Sequence, residues 1–296
     1  IIALSQDLAK QLKQVQALAD GRGRLQIAAV AATALQPLID SGAEIDLDQA
    51  FQAQLERIEK SQNTRAKVPT NLQAELRDYQ IEGYEWLMRL AGWGAGACLA
   101  DDMGLGKTLQ ALAMLLARAN VGPAIVVAPT SVVANWRSEA ERFAPSLELR
   151  VYGEGDRAQS LEQLGAGCVM LVSYGLLTLN IDLFAELHFA TLVLDEAQAI
   201  KNAAAQRTLA IRRIQAEFRV ATTGTPIENH LGELWSLMRV LNPGLLGSQE
   251  HFAKRFMAPI ERNPRGPERE TLRRVISPFM LRRMKIFQAI KLGETV

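Results

Sequence analysis

Two short stretches of the chain combine residue types and spacings suited to phosphate chemistry. The first is Asp101-Asp102-Met103-Gly104-Leu105-Gly106-Lys107-Thr108. It follows the apolar run Ala97 to Ala100 and opens a run of helical period, Leu109 to Ala119. Strand, glycine turn, Lys-Thr and helix are the parts of a phosphate-binding loop. Glycines let the backbone approach an anion closely. The first free N–H groups of the helix point at that anion, helped by the helix dipole. Lys107 brings a mobile charge to the outer phosphates, and the Thr108 hydroxyl can ligate Mg²⁺. The general pattern has Gly where this chain has Asp101, so the loop alone is a partial match.

The second stretch is Asp195-Glu196-Ala197-Gln198, delivered by the apolar run Leu192-Val193-Leu194. An acid at the end of such a strand can hold Mg²⁺ through water, opposite Thr108. Glu196 is then placed to orient and deprotonate a water attacking a terminal phosphate. An isolated Asp-Glu pair more often just ends a strand in solvent. The loop upstream and the apolar strand before it favour the chemical reading.

These residues need a scaffold, and the pattern from Leu72 onward supplies one. Strand candidates are Cys98–Ala100, Ala124–Ala128, Leu147–Tyr152, Cys168–Tyr174, Thr191–Asp195 and Phe218–Thr223. Runs of helical period lie between them: Leu109–Ala119, Val132–Phe143, Ala158–Leu164 and Ala203–Ala216. Continuous apolar strands alternating with helices imply a parallel sheet covered on both faces. In such a sheet the ligand sits beyond the carboxyl ends of the strands. Four of those ends carry hydroxyl, carboxylate or glycine clusters: Pro129-Thr130-Ser131, Ser173-Tyr174-Gly175, Asp195–Gln198 and Thr223-Gly224-Thr225-Pro226-Ile227-Glu228-Asn229. A single cluster is commonly a turn or a helix cap, but four in one sheet beside a phosphate loop exceed that.

The flanking regions are blander. Residues 1–68 read as a helical appendage, with apolar residues at helical spacing from Leu4 and a helix over Asp46–Lys60. Ser61–Thr70 reads as a linker. Net charge is +1, which says nothing about a polyanionic partner. Local charge is more informative: residues 244–285 hold Lys254, Arg255, Arg262, Arg265, Arg269, Arg273, Arg274, Arg282, Arg283 and Lys285 against four acids. That is either a solvated helical face or a phosphate-facing surface with steep salt dependence. Trp136, Ala140 and Phe143 share a helix face, and Trp136 reads as core. No apolar run approaches a membrane span. Cys98 and Cys168 sit in strand-like runs and read as buried reduced thiols, as in a reducing intracellular compartment. The first residue is not Met, so the chain is expected to be a fragment.

Taken together and in order, the loop, Asp195–Asn202, Thr223–Asn229, Leu76-Arg77-Asp78-Tyr79-Gln80 and Phe279–Lys285 resemble the Swi/Snf family. These are DNA-dependent, helicase-like ATPases of helicase superfamily two. The resemblance covers about residues 72–285, and Asp101 matches the superfamily's own form of the loop. It implies a RecA-like α/β P-loop domain over 69–285, a helical protrusion at about 244–276, and a tail or truncated connector at 286–296. It implies ATP and Mg²⁺ as ligands. Gln80 would read adenine with Arg77 nearby. Asp102, Met103, Gly104, Leu105, Gly106, Lys107 and Thr108 would bind the nucleotide, with Gly104, Gly106, Lys107 and Thr108 holding the phosphates and Mg²⁺ and Lys107 also catalytic. Asp195 would face the metal, and Glu196 would be the base. Gln198 stands where many relatives have His, and with Thr223, Gly224, Thr225 and Pro226 it would couple the ATP site to DNA grip. Pro129, Thr130, Ser173 and Tyr174 would touch the backbone of duplex DNA without reading sequence. Relatives close the ATP cleft with a second RecA-like lobe, which these residues do not include, so slow turnover is expected of this chain alone. Two rival readings remain: an RNA helicase lobe, and a non-catalytic nucleotide-binding interaction module. The intact Lys107, Thr108, Asp195 and Glu196 disfavour the latter.

Overall fold

The computed structural model describes residue 30 and residues 48–155, 157–226 and 230–285. The expected helices before residue 48, the Ile227–Asn229 part of the last motif and the 286–296 tail lie outside the described residues.

Among the described residues, seven parallel strands form one sheet. They are β1 (Ala97–Leu99), β2 (Ala124–Ala128), β3 (Glu148–Val151), β4 (Cys168–Ser173), β5 (His188–Asp195), β6 (Gln215–Thr222) and β7 (Met280–Leu281). Their order is β3-β4-β2-β5-β6-β1-β7. The central strands are fully buried, as two-sided coverage requires of apolar runs such as Ala124–Ala128 and Cys168–Ser173. The covering helices are α1 (Gln49–Gln62), α2 (Asp78–Gly92), α3 (Lys107–Ala117), α4 (Thr130–Phe143), α5 (Arg157–Glu162), α6 (Tyr174–Leu179), α7 (Ile181–Ala185), α8 (Gln206–Arg213) and α9 (Leu231–Leu241). The fold class is therefore the expected one.

Register decides where the site lies. Leu99 of β1 pairs with Thr222 of β6 and with Leu281 of β7, while Asp195 of β5 also pairs with Thr222. The carboxyl ends of β5, β6, β1 and β7 thus stop at one level. Across the sheet, Ala128 of β2 pairs with Ser173 of β4, which sets Pro129-Thr130 beside Ser173-Tyr174. One edge of the sheet collects all four clusters that follow strands.

Several boundaries differ from the sequence reading. Cys98–Ala100 is displaced by one residue to Ala97–Leu99, and Leu147–Tyr152 shrinks to Glu148–Val151. Tyr174 is not the last residue of β4 but the first of α6, because the Ser173 side chain accepts from the Leu176 N–H and starts a helix. β5 and β6 begin earlier, at His188 and Gln215, where their first residues are exposed and so lack an apolar signal. The run Ala203–Ala216 is not one helix: α8 stops at Arg213 and Gln215 already belongs to β6. The Ser61–Thr70 stretch is docked rather than a free linker. Helix α1 continues to Gln62, the Tyr84 hydroxyl donates to the Lys67 carbonyl, and Ala66 and Val68 pack on the core. Ile58 of α1 belongs to the same hydrophobic cluster as the sheet.

Beyond α9, residues 249–276 form the helical stretch α10 (Gln249–Phe252), a π-turn, α11 (Ala258–Arg262) and α12 (Pro267–Ile276). Part of its positive charge is spent locally, since Lys254 pairs with Glu250, and Arg273 and Arg274 with Glu270. Arg283 is not part of that basic surface at all. It is turned inward, as described next.

Candidate active site

Gly104 and Gly106 both take left-handed backbone angles, φ +84° and +70°. A Cβ at Gly106 would also collide with the Gln80 amide, so the loop's path requires glycine there. Helix α3 begins at Lys107 with no side-chain cap, leaving its first N–H groups for an anion. The Lys107 ammonium folds back onto the loop, donating to the carbonyls of Asp101 (2.7 Å) and Asp102 (3.1 Å). Burial pulls its pKa below the ordinary lysine value, while Asp101, Glu196, Asp195 and Asp102 pull the other way. A phosphate placed there would reward the charged form.

The loop is braced from outside. Gln80, 7% exposed, accepts from the Arg77 N–H (2.9 Å) and donates to the Leu105 carbonyl (3.3 Å). Its amide keeps one donor and one lone pair for an adenine edge. Gln110 donates to the carbonyls of Leu105 and Gly106. Asp101, fully buried, is gripped by the Arg283 guanidinium, which also donates to the Tyr79 carbonyl and to Gln110 Oε1. The position that departs from the general loop pattern is thus an anchor for the segment that follows β7.

Asp195 is oriented by two donors: the Trp136 indole N–H to Oδ2 at 2.8 Å, and the Thr222 hydroxyl to Oδ1. Neither Trp136 nor Thr222 carries a local sequence signal for this task. Trp136 is core, 1% exposed, as expected, and it is also the carboxylate's positioning partner. Glu196 is the one non-glycine residue with positive φ (48°) among the described residues. That conformation costs on the order of 1–2 kcal/mol. Gln198 donates to Glu196 Oε2 (2.6 Å) and accepts from the Thr223 hydroxyl (3.0 Å), whose oxygen accepts from the Thr225 N–H (3.1 Å). An unbroken relay therefore joins the acid pair to the Thr223–Pro226 element.

The clusters after β2 and β4 are brought side by side, but not uniformly exposed. Thr130 is exposed and Pro129 half-buried. Ser173 is committed to its helix cap. Tyr174 is buried with its hydroxyl on the Asp195 carbonyl, and burial raises its pKa. Contact through the Tyr174 side chain is therefore not what this arrangement offers; its backbone remains. Carboxylate and hydroxyl oxygens are the ligands a hard divalent cation takes. Asp195, with lone pairs left beside its two donors, and Thr108 at the start of α3 fit Mg²⁺ in that sense.

A cavity of about 400 Å³ opens between these parts, lined by Asp102, Met103, Glu196, Gln198, Gly224, Thr225 and Lys285. Fold and site together define a RecA-like P-loop lobe with a strand-end acid pair. The SNF2-related domain matches residues 79–292, and the chain belongs to that family. YwqA of Bacillus subtilis is 37% identical over 262 residues, covering 86% of this chain and 28% of YwqA. The chromatin-remodeling ATPase INO80 of Emericella nidulans is 34% identical, covering 77% and 16%. The Sulfolobus solfataricus SWI2/SNF2 ATPase core in complex with dsDNA superposes with TM-score 0.70 at 40% identity, covering 76% of this chain and 48% of that one. The chain thus spans less than half the length of each of these relatives. The family resemblance seen in the motifs is borne out.

Proposed function

We propose that this chain is the nucleotide-binding lobe of a DNA-dependent ATPase that translocates on duplex DNA. The relay from Glu196 through Gln198 to Thr223 and Thr225 carries this reading, because it ties a hydrolytic base to a second element. Such a link is of use when hydrolysis is converted into movement, and a simple phosphate-binding module has no need of it.

Gly104, Gly106 and the start of α3 cradle the phosphates, and Lys107 leaves the loop carbonyls to pair with them. Gln80 and Arg77 meet the base. Thr108 and Asp195 would hold Mg²⁺, which neutralises phosphate charge when bound. Glu196 takes the proton of the attacking water. Pro129, Thr130 and the backbone at Ser173-Tyr174 would grip one strand of duplex DNA without reading its sequence. Support for DNA over RNA comes from the SWI2/SNF2 core solved with dsDNA. A second RecA-like lobe would close the cleft.

The test uses two substitutions. Lys107→Ala should lose Mg-ATP binding, whereas Glu196→Gln should bind Mg-ATP normally and hydrolyse it at least about 10²-fold more slowly. Near-normal turnover in Glu196→Gln would remove Glu196 as the base. Stimulation by RNA alone, with duplex DNA inert, would overturn the partner.

A further inference from the structure

We propose, building on the ATP-site reading above, that Lys285 is a further phosphate-binding residue of that site, aimed at the terminal phosphate of a nucleoside triphosphate. The Ala100 N–H donates to the Leu281 carbonyl (2.7 Å) and the Asp102 N–H to the Arg283 carbonyl (3.1 Å). The Lys285 N–H then donates to Asp102 Oδ2 (3.0 Å). The carbonyls of Leu281 and Arg283 thus follow the backbone of residues 100 and 102, and the Asp102 side chain holds the Lys285 backbone beside the phosphate loop. Arg283, locked on buried Asp101, pins that register.

The consequence is where the Lys285 side chain lies. Its ammonium stands 3.9 Å from the point a Cβ on Gly104 would occupy. It lines the same cavity as Glu196, Gln198 and Thr225. That is the hydrolytic end of the site, and the adenine end lies at Gln80. Lys285 is exposed, and its ammonium has no hydrogen bond or ion pair among the described residues. Lys107, by contrast, is held by two loop carbonyls. The cavity lining otherwise brings only negative charge, Asp102 and Glu196. A triphosphate entering beside those acids gains from a second cation, and Lys285 is the one poised without a competing partner. Because it rides on the segment that follows β7, its position also reports where that segment sits.

The test is equilibrium binding of Mg-ATP, Mg-ADP and AMP by displacement of a fluorescent ATP analogue. The proteins compared are the chain itself and its Lys285→Ala, Lys285→Arg, Lys285→Glu and Lys107→Ala variants. Loss of one charge-assisted contact should weaken Mg-ATP about tenfold in Lys285→Ala. Lys285→Glu should weaken it further, Lys285→Arg should retain it, and AMP should be unaffected. Melting temperatures should stay at the parent value, since the side chain is exposed. Unchanged Mg-ATP affinity in Lys285→Ala and Lys285→Glu, with binding lost in Lys107→Ala, would reduce Lys285 to a solvated surface lysine and leave the ATP site standing. No Mg-ATP binding by the parent chain would overturn both.

Discussion

A carboxylate that is to hold a metal ion through water must have its lone pairs fixed before the ion arrives, or ordering them costs affinity. Asp195 meets that demand with the indole N–H of Trp136 on one oxygen and the Thr222 hydroxyl on the other. Trp136→Phe keeps an apolar ring in the core and removes only the donor. Loss of a hydrogen bond to a charged group costs about 1.5–3 kcal/mol, which urea unfolding would show. The functional expectation is separate: the Mg²⁺ concentration supporting ATP binding should rise about tenfold or more, with Mg-free nucleotide binding unchanged. An unaltered Mg²⁺ requirement would make Trp136 a packing residue only. Lys107, Thr108, Asp195 and Glu196 were legible in the sequence because local spacing defines them. Trp136 and Arg283 were not, because their partners lie 59 and 182 residues away, and nothing in a one-dimensional pattern pairs them.

At the scale of elements, the short strand β7 controls more than its two residues suggest. Trp86 donates its indole N–H to the Pro278 carbonyl, and Trp93 packs against Phe279. Arg283 then crosses to Asp101, Tyr79 and Gln110. Helix α2, the phosphate loop and residues 278–283 are thereby one unit. Both charges are almost wholly buried, 9% and 0% exposed. Removing one partner strands the other and should cost about 3–5 kcal/mol in Arg283→Ala. The double variant Asp101→Ala/Arg283→Ala should be less destabilised than the sum of the two single variants, which a double-mutant cycle by urea unfolding would read. Strict additivity would mean the pair does not act as a clamp. No sequence signal announced β7, since two residues carry no periodicity. The long apolar strands did announce themselves, and the errors fell at their exposed beginnings, His188 and Gln215, where polarity hides the strand.

At the scale of the molecule, the site occupies the carboxyl edge of the sheet. The aligned ends of β5, β6, β1 and β7 present the loop, the acid pair and the relay on one face. Met103 is 77% exposed at the lip of the phosphate loop. The cavity there is lined by one cation, Lys285, and by no arginine among the described residues. Transfer of a phosphoryl group spreads negative charge outward from the loop, and an arginine reaching that charge from a facing surface is typically worth about 10³–10⁵ in rate. A polypeptide of these 296 residues should therefore bind Mg-ATP, turn it over slowly, and gain little from duplex DNA. Supplying the rest of an SNF2 core, in the same chain or in trans, should raise turnover by about 10³ or more and make it respond to DNA. The stimulation should fall steeply as salt rises, because contacts to backbone phosphate release counterions. Steady-state phosphate release with and without duplex DNA, across a salt series, checks each part. Brisk DNA-stimulated turnover by the 296-residue polypeptide alone would show that its catalytic charge is complete without a facing lobe.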